Sequence, residues 1–237
     1  MEFRAPSSSQ DFQKKAAAER ALEFILDNSI VGLGTGSTVK YLLEGLSSRV
    51  RGGLRIKGVP TSRNTAALAN QLGIPILDEE ADWAIDITID GADQVDDQFN
   101  LVKGGGGALL REKIVAKSAR RFIVIVDAGK RVPFLGSSVP IPVEVVPFGW
   151  PSTLRLVEQL GSGVSLRNRK GSAFVTDNGN YILDLEIPEV FDPPDLEARL
   201  NQIPGVVENG IFTGMTSTLI VGTEQGTEVY DRPMLDR

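Results

Sequence analysis

Cysteine and histidine are both absent from the 237 residues of this chain. Without cysteine there is no disulfide, which fits a reducing compartment. The two absences together exclude Cys/His zinc sites, cysteine nucleophiles and Ser-His-Asp triads. Any acid–base chemistry must fall to Asp, Glu, Lys or Tyr. A basic surface is missing too: 31 acidic against 25 basic residues leave a net charge of −6. Nucleic acid is therefore not an expected partner, because no basic stripe is offered to a phosphate backbone. A small anion needs only a few local lysines. Long apolar runs are also lacking. Uninterrupted ones such as FIVIV (122–126) are strand-sized, far short of the roughly 18 residues of a membrane span, so no membrane partner is expected. The opening MEFRAPSSSQ is too short and polar for a signal peptide. It reads as a cloning remnant or as the stub left by removal of an organelle transit segment. Cytoplasm and an organelle stroma, such as that of the chloroplast, both stay open.

What is present is the pattern of an ordinary globular chain, with 41% hydrophobic and 24% charged residues, long enough for a sizeable core. Residues 10–27 read as an amphipathic helix with Phe12, Ala16, Leu22, Phe24 and Ile25 among its apolar positions. A strand–loop–helix pattern then recurs at 29–39, 54–73, 84–94 and 122–130. Such alternation implies a mostly parallel sheet with helices on both faces, a Rossmann-like, doubly wound α/β fold. Ligands bind such sheets beyond the carboxyl ends of the strands. Near residue 136 the texture changes to strand (139–149), helix (151–161), two or three antiparallel strands (164–186), helix (192–204) and strand (205–210). That order is a smaller α+β domain of the split βαβ, ferredoxin-like kind. The expected division is 1–135 plus 211–237 for the larger domain and 136–210 for the smaller, with 217–230 returning as strand and hairpin.

Three loops carry chemical promise. GLGTGS (32–37) joins a strand to a helix, where backbone N–H groups make either a phosphate cradle or a plain tight turn. A dinucleotide fingerprint does not fit, since the third glycine comes one residue early and no acid ends the second strand. In IDITIDGAD (85–93), Asp90 and Asp93 lie at or just past the strand's end. Contact with a ligand, a solvated acidic loop (Asp96 and Asp97 especially) and a carboxylate-bound metal are all open there. In KGGGGALLREK (103–113), four glycines cost more conformational entropy than a turn needs. A linker is the bland alternative. Projection of 108–120 as a helix sets Glu112 on an arc with Ala108, Leu109, Val115, Ala116 and Ala119, and sets Lys113, Lys117 and Arg120 on the solvated side. A carboxylate among apolar neighbours is desolvated, which favours its protonated form and suits a general base. A buried, ion-paired structural Glu is the competing reading.

Taken in order, GTGST (34–38), PTSRNTAALA (60–69), DGAD (90–93), KGGGGALLREK (103–113) and IPGVVENG (203–210) cover nearly the whole chain. Together they resemble the type A ribose-5-phosphate isomerase family. The spacing from Asp93 by ten residues to Lys103 and by nine more to Glu112 is the most specific part. The resemblance implies reversible conversion of D-ribose 5-phosphate to D-ribulose 5-phosphate, with no cofactor and no metal, in a homodimer or homotetramer. It implies that Glu112 shuttles a proton between C2 and C1 through an enediol. Asp90 and Asp93, in a loop with Gly91 and Ala92, correspond to sugar-binding and ring-opening acids. Lys103 corresponds to a lysine near the reacting oxygens, and Gly104, Gly105 and Gly106 to backbone donors. Thr35, Gly36, Ser37 and Thr38 correspond to the substrate loop, and Lys14 and Lys130 to outlying lysines that help hold the substrate. One departure is the fourth glycine, Gly107, where many relatives carry alanine. Two rivals are a sugar-phosphate-binding regulator without turnover, which would gain little from a desolvated Glu112, and a CoA transferase or amino-sugar phosphate deaminase. The deaminase would use histidine, which is missing.

Overall fold

Runs of Ile and Val bounded by glycine make the strands, and alanine- and leucine-rich stretches between them make the helices. The structure, a computed structural model, describes residues 8–187 and 189–232. The segment 1–7 lies outside the described residues, and with it most of the reading given above for the opening of the chain. In chain order come α1 (Ser9–Leu22), β1 (Ser29–Leu33), α2 (Ser37–Arg51), β2 (Ile56–Pro60), α3 (Arg63–Gln71) and β3 (Ile85–Asp90). Two short strands, β4 (Gln94–Val95) and β5 (Leu101–Val102), precede α4 (Leu109–Lys117) and the long β6 (Ala119–Asp127). Then follow β7 (Ile141–Val145), α5 (Trp150–Val157), β8 (Gly163–Leu166), β9 (Asn168–Arg169), β10 (Ser172–Ala173) and β11 (Tyr181–Glu186). The chain ends with α6 (Pro193–Asn201), β12 (Val206–Asn209), β13 (Ile211–Phe212), β14 (Thr218–Thr223) and β15 (Gly226–Asp231). No helix of the described residues is long and apolar enough to cross a membrane.

The chain divides into two compact units. The first comprises Met1–Gly91, Ile114–Lys130 and Thr216–Arg237. Its six-stranded sheet has the order β15-β14-β6-β3-β1-β2, parallel throughout except for the edge hairpin β14–β15. From β1 the chain moves outward to β2 and then returns to place β3 on the other side. The gap beyond the ends of β1 and β3 is thus the topological switch point, the usual ligand position in such sheets. The core beneath α1 and α2 is made of Ala17, Ala21, Leu42, Leu43, Leu46, Val31, Ile123 and their neighbours, all buried.

The second unit comprises Ala92–Lys113 and Arg131–Met215. Its main sheet, order β12-β7-β11-β8, is antiparallel, and α5 and α6 are the two crossovers between its strands. That is the split βαβ arrangement expected for the smaller domain. Val143, Val145, Val157, Leu183, Leu185, Leu196 and Leu200 form its core. A separate three-stranded sheet, order β13-β5-β4, belongs to the same unit.

Several boundaries differ from expectation, each for a local reason. The first helix stops at Leu22 rather than near 27, and Phe12 is 46% exposed. Phe24 lies past the helix, under the guanidinium groups of Arg20 and Arg121. Between 163 and 186 there are four strands instead of two or three, because Lys170 and Gly171 both take positive φ (54° and 84°). Two successive left-handed residues make the tight turn of a separate β9–β10 hairpin. The compact units also divide elsewhere than at 135/136 and 210/211: residues 92–113, 131–135 and 211–215 join the second unit, where β5 pairs with β13.

Packing of α1 on β14 depends on one glycine. A Cβ at Gly222 would stand 1.8 Å from the backbone oxygen of Gln13. Gly222→Ala should force the helix off the sheet and lower stability by about 1–3 kcal/mol, the usual cost of overpacking. Denaturant unfolding of the variant against the parent measures it; an unchanged midpoint would mean the helix moves without cost.

Candidate active site

In the first unit, the loop after β1 and the end of β3 are tied to each other. Asp90 ends β3 with no exposure. Its Oδ1 accepts from the Thr35 N–H at 3.0 Å and from the Gly91 N–H at 2.7 Å. Gly34 must be glycine, because a Cβ there would lie 2.2 Å from that same oxygen. The Thr35 hydroxyl meets three others, those of Thr61 (2.7 Å), Ser62 (2.9 Å) and Thr65 (3.1 Å). Thr65 in turn donates to the Gly34 carbonyl at 2.9 Å. Thr61, Ser62 and Thr65 have no role in the sequence reading beyond their place in a motif. The signal for them was there: hydroxyls at a strand end running into a helix whose cap is Ser62.

The helix α2 opens differently. Gly36 stands at its N-cap with φ 113°, and no side chain caps it. The first-turn N–H groups, those of Ser37 and Thr38 among them, have no intrahelical acceptor, as at any helix N-terminus. Ser37 is exposed, whereas Thr38 is buried. Lys14 and Lys130 are both half-buried. Gln13, beside Lys14, accepts from the Ala128 N–H at 3.1 Å, and Gln10 donates to Asp127 at 3.3 Å. The short 3₁₀ turn Ala128–Lys130 follows directly.

The second unit holds the other predicted residues, from Ala92 and Asp93 onward. Lys103 follows β5, and its N–H donates to the Gly210 carbonyl at 2.8 Å. Its side chain is 2% exposed, with Nζ 3.2 Å from Glu112 Oε1 and 5.7 Å from the centre of the Phe212 ring. Glu112 is 5% exposed. An ammonium so close favours the ionised carboxylate, against the burial that disfavours it. Between the pair runs the glycine loop. Gly104 and Gly107 have φ of 104° and 84°, and the Gly107 N–H closes the turn on the Gly104 carbonyl at 2.9 Å. Gly107 also faces Phe174, whose ring carbon would lie 2.3 Å from a Cβ. The Gly105 N–H donates to Asp93 Oδ2 at 2.7 Å, and Gly105 and Gly106 are exposed. This is a built loop, not a linker.

One residue contradicts its expected place. Helical projection puts Lys113 in solvent, yet it is buried. Its Nζ contacts Glu197 (2.9 Å), Glu208 (2.8 Å) and the Ile211 carbonyl (2.7 Å), over the Phe212 ring. A helical wheel sorts residues against one apolar layer; here α6, β12 and β13 give the opposite side of α4 an acidic lining.

One unit of this α/β protein thus carries a glycine turn at the switch point of a parallel sheet, and the other a buried carboxylate–ammonium pair at the two ends of a glycine loop. The family model "Ribose 5-phosphate isomerase A (phosphoriboisomerase A)" matches residues 57–226. The chain is 51% identical over 220 residues to ribose-5-phosphate isomerase A of Gloeobacter violaceus, covering 92% of this chain and 96% of that one. A solved D-ribose-5-phosphate isomerase in complex with phospho-erythronic acid superposes with a TM-score of 0.91 at 42% identity, over 95% of this chain and all of that one. The ribose 5-phosphate isomerase A of Methanocaldococcus jannaschii gives 0.88 at 39% identity, over 92% and 98%. The chain belongs to the ribose-5-phosphate isomerase A family.

The Lys113 cluster makes a stability prediction. Lys113→Met removes the only cation given to Glu197 and Glu208 among the described ion pairs. Breaking a buried pair from one side costs about 3–5 kcal/mol, so unfolding should shift to markedly lower denaturant. A loss under 1 kcal/mol would mean that water already screens the two acids.

Proposed function

We propose that this chain interconverts D-ribose 5-phosphate and D-ribulose 5-phosphate in the pentose phosphate pathway. The observation that carries the mechanism is the buried Lys103–Glu112 pair flanking a glycine loop. Glu112, as carboxylate, takes the proton from C2 of the open-chain aldose. The electrons move into the C1–C2 bond and onto the C1 oxygen, giving an enediolate. Glu112 then returns the proton to C1 while the hydroxyl proton passes between the two oxygens, so that atoms and charge balance. Lys103 and the amides of Gly104 and Gly106 stabilise the oxygen on which charge develops, while the Gly105 N–H, given to Asp93, holds the loop; donors oriented in advance act most strongly on developing charge. Asp90 and Asp93 serve the sugar hydroxyls and ring opening. Thr35, Gly36, Ser37 and Thr38 bind the phosphate, assisted by Lys14 and Lys130. Neither cofactor nor metal is required, and the working form is a homodimer or homotetramer.

Phospho-erythronic acid, bound by the solved relative named above, supports the reading. It carries a carboxylate where an enediolate would carry its charge. The direct test is to mix the protein with ribose 5-phosphate and follow ribulose 5-phosphate. Absence of product at any protein concentration would overturn the assignment.

Glu112→Gln keeps the shape and the hydrogen bonding but cannot accept the proton. Its kcat should fall about 10²–10⁴-fold, the usual worth of a general base, with KM little changed. Solvent deuterium should enter the sugar with the parent and not with the variant. Turnover within a few-fold of the parent would make another group the base, Asp90 first.

Replacing Ser37 and Thr38 by alanine should mainly raise KM. The loss of two hydroxyls near a dianion, at about 1.5–3 kcal/mol for a bond to a charged group, corresponds to a rise of roughly tenfold or more. Unchanged KM with collapsed kcat would place the phosphate elsewhere.

A further inference from the structure

The mechanism relies on the direction in which the glycine amides point, and a glycine loop does not hold a direction by itself. The Gly104–Gly105 peptide is nonetheless gripped at both ends. Its N–H, on Gly105, donates to Asp93 Oδ2 at 2.7 Å. Its carbonyl, on Gly104, accepts from Arg167 Nη1 at 2.7 Å, besides the turn bond from the Gly107 N–H. The same Nη1 reaches the Gly105 carbonyl at 3.2 Å. In a trans peptide the N–H and the C=O point in opposite directions. Fixing the Gly105 carbonyl toward Arg167 therefore turns the Gly106 N–H away from it.

Arg167 is itself immobilised. Its N–H donates to the Ile182 carbonyl and its carbonyl accepts from the Phe174 N–H, both at 2.8 Å. Its Nε and Nη2 form a two-pronged pair with Asp184 on β11, Nε at 2.8 Å from Oδ2. Only a guanidinium can grip a carboxylate with one edge and present a further N–H to two carbonyls. Nearby contacts reinforce the arrangement. Phe174 packs on Gly107, and Asn178 accepts from Arg111, the residue before Glu112. Asn178 is fixed in turn by the fully buried Glu144, which also receives Thr176 and Asn180.

We infer that Arg167, braced by Asp184, is a positioning residue for the isomerisation: it orients the Gly105 and Gly106 amides without touching the sugar. This rests on the reading given under Proposed function, and the test separates the two. Arg167→Met should lower kcat about 10- to 100-fold, less than deletion of an oxyanion donor outright, with KM within about threefold. Arg167→Lys should not restore it, because an ammonium cannot serve Asp184 and both carbonyls together. Arg169→Met, two residues on and exposed, should behave as the parent. Independently of turnover, the Gly105 and Gly106 amide resonances should shift in the Met variant, and Gly105 should lose protection from hydrogen exchange. Unmoved resonances would overturn the inference whatever the activity. So would full rescue by lysine, or a loss of kcat no larger than that of the Arg169 control. A parent protein inactive on ribose 5-phosphate, with the resonances shifting as expected, would remove the function and keep the orienting contact.

Discussion

Taking an ammonium and a carboxylate out of water costs several kcal/mol per ion, and only close, well-supported pairing offsets it. Lys103 and Glu112 are both nearly inaccessible, and each is anchored by its backbone: Lys103 to Gly210, Glu112 to the first turn of α4. The pair therefore constrains its surroundings. The loop between them must bring the strand end and the helix start within 3.2 Å at the side-chain tips. Four glycines, two at positive φ, allow the chain reversal, with Gly105 and Gly106 exposed at its tip. The entropy that those glycines cost is offset by contacts from outside the loop, through Asp93, Arg167 and Phe174.

The two loops solve one problem by different means. After β1, the backbone is held by hydroxyls: Thr61, Ser62 and Thr65 gather on Thr35, and Asp90 accepts two N–H groups. After β5, it is held by a carboxylate on one side and a guanidinium on the other. Around Thr35 the neutral hydroxyls add no charge to that of Asp90. At the second loop the Arg167 guanidinium sets a positive charge against two peptide carbonyls.

The sheet was legible in the sequence because its strands are short apolar runs with β-branched residues, each ending in a distinctive loop. The split βαβ class of the smaller unit was legible as well, from its strands and helices in the sequence β-α-β-β-α-β. Glu112 could be singled out because an acid on an apolar arc is conspicuous. Lys113 could not, since the acids that bury it, Glu197 and Glu208, come about 84 and 95 residues later and no periodicity links them. Arg167 was hidden for a similar reason. Two of its partners are main-chain carbonyls, which have no sequence signature, and its tie to Asp184 spans 17 residues with no period to mark it. The short sheet β13-β5-β4 was missed because two-residue strands carry too little pattern for any period to show.

The contact of Gly222 with the Gln13 carbonyl has a consequence for how α1 can vary. Most helices rest on a sheet through side chains, so their standoff can be adjusted by exchanging one apolar residue for a larger or smaller one. Here backbone meets backbone, and the spacing is fixed by the radii of main-chain atoms. Nothing smaller than hydrogen can replace the missing side chain, and anything larger collides. The depth of α1, and with it the base from which Lys14 extends, is therefore not a tunable dimension of this protein; only the length and chemistry of the side chain at position 14 remain to be varied.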